Sequence, residues 1–168
     1  MRGDVALRIT AEDIGPLLAA LDMLAEEVDL NLEADYGIQV AADRIVWQQD
    51  MRNAAAALRD AEHQRRVKQP RPLMVDIRLP PPVASACHRA CVVAANRLDH
   101  YSGIVSESAK GGVRPALASL VAHEPTLELV ERYFRWVRDD AAWARNEALR
   151  LRLHAHEIML HDSDNEPQ

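Results

Sequence analysis

Toward the C-terminal end of the chain, apolar residues recur at alternating steps of four and three: Val130, Phe134, Val137, Ala141, Ala144, Ala148, Leu151, Ala155 and Ile158. That spacing keeps one stripe on one side of a helix, and it predicts a single long helix from Pro125, which suits a first turn, to about His161. Earlier segments carry the same signature. Ile14, Leu17, Leu21, Leu24 and Val28 predict a helix over about 13–32, with Asp13 as N-cap and Pro16 in the first turn. After Gly37, the stripe Val40, Trp47, Met51, Ala54, Leu58 and Ala61 predicts a second helix to about Arg66, spoiled on that face only by Arg44. Alanines at 54–57 favour it further. A third helix is expected over about 82–105 on the stripe Ala84, Cys87, Cys91, Ala94, Leu98, Tyr101 and Val105, before a loop holding Gly111 and Gly112. A short helix over about 115–122 follows it.

Two segments have the other period. Val5, Leu7 and Ile9 alternate with Ala6, Arg8 and Thr10, while Val75, Ile77 and Leu79 alternate with Asp76 and Arg78. Pro70 and Pro72 before the second segment, with Pro80, Pro81 and Pro82 after it, exclude a continuing helix. These two strands, about 5–9 and 75–79, fit a small two-stranded ribbon that must pack on helices to persist. The expected fold is therefore all-α: a bundle of four main helices plus one short helix, with the ribbon as an accessory. A chain of 168 residues with 48% hydrophobic residues supplies one core, so residues 1–161 are read as a single domain. Residues 162–168 are read as an acidic, disordered tail. No signal-like apolar run follows Met1, and charges interrupt the other apolar stretches, so a cytoplasmic chain without a membrane span is expected.

Charge is segregated along the chain. Residues 1–35 carry nine acids against two arginines, and residues 36–100 carry ten basic residues against six acids, within a net charge of −6. Arg52, Arg59 and Arg66 repeat every seven residues on the second helix, and Arg65 and Lys68 extend the basic end. Such a row suits sequence-independent contact with a phosphate backbone, and small helical subunits of nucleoprotein complexes, including those of CRISPR effector complexes, share this size and all-α character. That likeness is one of fold class, carried by no motif. A solvated face with local ion pairs explains the same row and is the favoured reading.

Catalytic signatures are sparse. A di-metal bundle site needs Glu-x-x-His motifs on facing helices; the nearest echo, Asp60 with His63, falls on the outer side of its helix. His154, Glu157 and His161 have spacing suited to a metal at a helix end, but a solvated end explains them too. Cys87 and Cys91 lie on the apolar stripe of the third helix with no second cysteine pair, which makes them small buried hydrophobes rather than zinc ligands. No serine-nucleophile motif, phosphate loop or dinucleotide fingerprint is present, so the sequence names no catalytic residue, metal or cofactor; a metal-dependent enzyme is the weakest reading.

What remains is helix-face information. In heptad register the seam is flanked by Glu131, Arg138, Arg145 and Arg152 on one side and by Tyr133, Asp140, Glu147 and His154 on the other. Self-pairing of this seam would have to be parallel, which sets Asp140 and Glu147 against arginines, but its alanines suit close packing within the chain better. Trp136 and Trp143, seven apart, form with Tyr133 a second apolar strip. The sequence therefore points to a non-catalytic interaction or assembly subunit. It would dock a protein partner, or a second copy, through Tyr133, Trp136 and Trp143 with Arg138, Arg145 and Arg152. The alternative is a nucleic-acid contact through Arg52, Arg59, Arg65, Arg66 and Lys68.

Overall fold

The computed structural model describes residues 3–32, 38–111 and 125–164. Strand β1 (Val5–Thr10) leads directly into α1 (Ala11–Leu32), followed by α2 (Ile38–Val67), β2 (Met74–Leu79), α3 (Pro81–Gly111), α4 (Pro125–Tyr133), a 3₁₀ turn (Arg135–Val137) and α5 (Ala141–Asp164). The expected ribbon is present. β1 and β2 pair antiparallel with Val5 opposite Leu79, Leu7 opposite Ile77 and Ile9 opposite Val75, and all six of these side chains are buried. Their polar alternates face solvent, which is how a two-stranded ribbon gains the support it lacks alone.

The helix stripes form the core they predict. Ile14, Leu17, Leu21, Leu24 and Val28 of α1 are buried, as are all seven stripe residues of α3 and Met51, Ala54 and Leu58 of α2. Trp47 and Ala61 are half-buried against them. α5 packs chiefly on α3, where alanines at 144, 148 and 155 face Ala-rich and Cys-bearing turns and let the two backbones approach closely. Residues 115–122, expected to form a short helix, lie outside the described residues, as do 165–168 of the expected tail; α5 itself continues through Asp164.

Two expectations are corrected. α1 starts at Ala11, so Asp13 is inside the first turn rather than its cap, Thr10 precedes the helix and donates its hydroxyl to Asp13 Oδ2 at 2.8 Å, and Pro16 sits in the second turn. The single long C-terminal helix is in fact two. α4 ends at Tyr133, Phe134 adopts φ −109° and ψ 57°, and Asp139 takes the left-handed φ of 57° before Asp140 caps α5 by accepting from the N–H groups of Ala142 and Trp143. Two α3 side chains fix the break: Tyr101 Oη accepts from the Asp139 N–H at 3.1 Å and donates to Glu131 at 2.9 Å, and Ser102 donates to the Ala141 carbonyl at 2.8 Å. The apolar period survives because Phe134 and Val137 stay buried on both sides of the interruption.

Candidate docking face

α5 has two apolar sides. Its inner side, Ala144, Ala148, Leu151, Ala155 and Ile158, is buried, and Leu149, Leu153 and Leu160 project from the opposite side at 59%, 57% and 50% exposure. Steps of four and seven place the three leucines in one line along the helix axis, with Ala142 at the same azimuth. Arg145 and Arg152 border this line on one edge; Arg150 and Glu157 border it on the other. Scattered exposed leucines are ordinary, but this row lies opposite a satisfied core face and is left half-exposed among the described residues. Sequence reasoning missed this row because the inner seam absorbed the helical period, although the leucine spacing was there to be read.

The strip expected from sequence is divided. Tyr133 is half-buried and donates its hydroxyl to Glu26; burial and then that bond push its pKa up to about 12, and Arg132 lies over its ring. It serves as a tie to α1. Trp136, 44% exposed on the 3₁₀ turn, meets Phe134 edge-to-face at 5.5 Å, whereas Trp143, 51% exposed, stands in the first turn of α5. The helix break means that the two tryptophans do not share a continuous helical face.

The flanking charges are also committed differently from the heptad reading. Asp140 is a cap, Glu147 is buried, and Arg152 reaches α3 to pair with Asp99 at 2.5 Å and Asn96 at 3.1 Å. Arg138 is exposed beside Asp139, and Arg145 contacts the Ala141 carbonyl at 3.4 Å. The Arg138, Arg145, Arg152 row is therefore not a set of equivalent free cations. His154, the last of the g row, is turned inward to Asp13 and Glu157, at 3.0 and 3.4 Å. Arg150 joins this cluster through Asp13 and Glu147. Burial raises the Glu147 carboxyl above its ordinary range, against the pull of Arg150 and the Trp136 indole, and among the described residues its Oε2 has no hydrogen-bond partner.

The basic row of α2 is paired to acids. Arg52 meets Asp29 at 3.2 Å, Arg59 meets Asp22, and Arg65 and Arg66 share Glu62 at 2.8 and 2.7 Å. Those hydrogen bonds, led by that from Arg65, hold the Glu62 carboxyl at about 2. Lys68 lines a cleft of about 580 Å³ between α2 and the ribbon, together with Arg65, Arg78, Asp60 and Asp76. A second cleft, about 470 Å³, has the Arg89 guanidinium stacked 4.3 Å above Trp47.

Asp60 and His63 are both exposed on α2, and among the described residues no three His, Cys, Asp or Glu side chains converge as a metal site. Cys87 and Cys91 are buried free thiols; their mutual hydrogen bond and burial push the Cys91 thiol well up, away from the reactive thiolate. Among the described residues no helix is long and apolar enough to cross a membrane. The chain matches no protein-family model, no curated protein and no solved structure.

Proposed function

We propose that this protein is a cytoplasmic, non-catalytic helical assembly subunit that docks a protein through the outer side of its C-terminal helix. The observation that carries the reading is the line Leu149, Leu153 and Leu160, exposed along α5 opposite its core side. Burying three half-exposed leucines removes apolar area from water, and the helix beneath them is already anchored to α3, so docking needs little new ordering of the backbone. Trp143 and Met159, also half-exposed, lie on opposite flanks of this line.

The alternative, a nucleoprotein subunit gripping a phosphate backbone through Arg52, Arg59, Arg65, Arg66 and Lys68, has less support, because each of the four arginines already faces a carboxylate. A photo-crosslinking residue placed at 153 in the native cells tests the favoured reading against a control at Gln64 on α2. A discrete adduct from position 153 and none from position 64 supports it. No adduct from 153 overturns it, and nuclease-sensitive adducts from position 64 would favour the alternative.

A further inference from the structure

We infer that the occupant of this face is a second copy of the chain, laid antiparallel so that Leu149 of one α5 meets the partner's Leu160; the inference rests on reading the outer side of α5 as the docking face. A two-fold axis perpendicular to α5, passing between Leu153 and His156, generates this pairing and makes it self-complementary. Four layers result: Leu149 on the partner's Leu160, Leu153 on the partner's His156, and the two reciprocal pairs. All four residues are exposed in the single chain, so nothing must be unpacked to bring them together.

Charge selects this register. It sets Arg150 against the partner's Glu157 twice, once on each side of the axis, and Arg152 against the partner's Met159. Shifting by one heptad, so that Leu149 meets the partner's Leu153, would place Arg150 on the partner's Arg150 and Arg152 on the partner's Arg152. A parallel arrangement would place Arg145 on the partner's Arg150. Like charges directly opposed are unfavourable, so charge favours the Leu149 to Leu160 register over both of these arrangements. Arg150 also contacts Asp13 and Glu147, and Glu157 contacts His154, so each would be shared between its own chain and the partner, in keeping with a weak interface. Four layers make a small interface, which belongs to the weak, reversible class rather than the obligate one.

The test is absolute mass by light scattering across protein concentrations up to about 100-fold apart, bracketing the micromolar range expected for a weak interface. Wild type should move from one to two chain masses. Leu153→Glu should weaken the dimer on the order of 100-fold, since a carboxylate would be buried against a leucine-rich face, while far-UV helicity and melting stay at wild-type values. Mixing Leu149→Cys and Leu160→Cys proteins should give the mixed disulfide in preference to either symmetric one, the native cysteines being buried. A symmetric 149–149 product would overturn the antiparallel arrangement, and a dimer indifferent to Leu153→Glu would overturn the interface. A monomer at every concentration would overturn self-association. In that case an adduct at position 153 to a different protein would still sustain the docking face, and absence of any adduct would remove both.

Discussion

The Asp13 carboxylate lies 3.0 Å from His154 Nε2 and 3.2 Å from Arg150 Nε, so one side chain in the first turn of α1 gathers two basic side chains from α5. The Thr10 hydroxyl completes its surroundings. Asp13 is mostly buried, and water cannot fully replace what it provides. Asp13→Ala is expected to lower unfolding free energy by about 1–3 kcal/mol in urea titrations, while Asp13→Asn, which keeps an acceptor oxygen, should recover part of that loss. An unchanged midpoint for both variants would show that α1 and α5 are held by their apolar sides alone.

The turn between α4 and α5 is tied to α3 by the fully buried Tyr101, whose hydroxyl reaches both Asp139 and Glu131. Tyr101→Phe leaves the ring packing in place but strands the Asp139 N–H and one Glu131 oxygen, at an expected cost of about 1–2 kcal/mol. Asp139→Gly should act in the opposite direction, because glycine accepts a φ of 57° without the Cβ penalty; a gain of about 0.5 kcal/mol is expected. Both are read from chemical denaturation. A destabilised Asp139→Gly variant would mean that the Asp139 side chain contributes more than its backbone geometry costs.

That turn also marks where sequence periodicity stops being informative. The stripes of α1 and α3 and the alternation of the ribbon translate directly into buried positions, because each is a local pattern read out by one element. The interruption at 134–140 contains neither glycine nor proline, and its cause is the distant pair Tyr101 and Ser102, which no local rule can supply. Asp139 and Asp140 were its one local sign, an acidic pair preceding a run of alanines. The proposed docking residues follow the same logic. Trp136 and Trp143 share a face only if the helix is continuous, whereas Leu149, Leu153 and Leu160 depend on α5 alone. Likewise the basic row of α2 was correctly spaced, but its neutralisation by Asp22 and Asp29 required knowing that α1 lies alongside.

Glu62 gives the fold an acid-sensitive element. Its carboxyl is held at about 2, below its ordinary 4.5, by Arg65 and Arg66, so the folded state favours the charged form. The resulting stabilisation is fully present above about pH 4.5 and is lost as pH falls through the folded value toward 2. The displacement corresponds to at most about 3 kcal/mol. Screening of the exposed Arg66 and the persistence of these local contacts in unfolded helix reduce the expected loss to about 1 kcal/mol. Glu62→Gln should flatten that portion of the stability-versus-pH curve between about 4.5 and 2. A curve superimposable on wild type would show the pair to be energetically idle.

Glu147 has the reverse sign. Its carboxyl is raised by burial, so above its folded pKa the native state carries the cost of a buried charge, and that cost disappears as the group is protonated in acid. Glu147→Gln should therefore stabilise the protein at pH 7 by about 0.5–1 kcal/mol, with Arg150 retained by Asp13, and the advantage should vanish below the ordinary carboxyl range. Destabilisation at pH 7 would show instead that the Arg150 contact outweighs desolvation.

The two exposed tryptophans should separate cleanly by the same measurement. Trp136 meets Phe134 edge-to-face and its indole contacts the Glu147 carboxyl, so its removal takes away one contact of a buried ring and one partner of a buried carboxyl. Trp136→Ala is expected to cost about 1 kcal/mol or more in urea. Trp143 has no comparable aromatic contact among the described residues, and Trp143→Ala should change stability by less than about 0.5 kcal/mol. If Trp143 belongs to the proposed docking strip, the substitution should weaken partner capture while leaving the melting curve in place. Equal destabilisation by both alanine variants would place Trp143 in the core with Trp136 and leave the leucine line alone to carry docking.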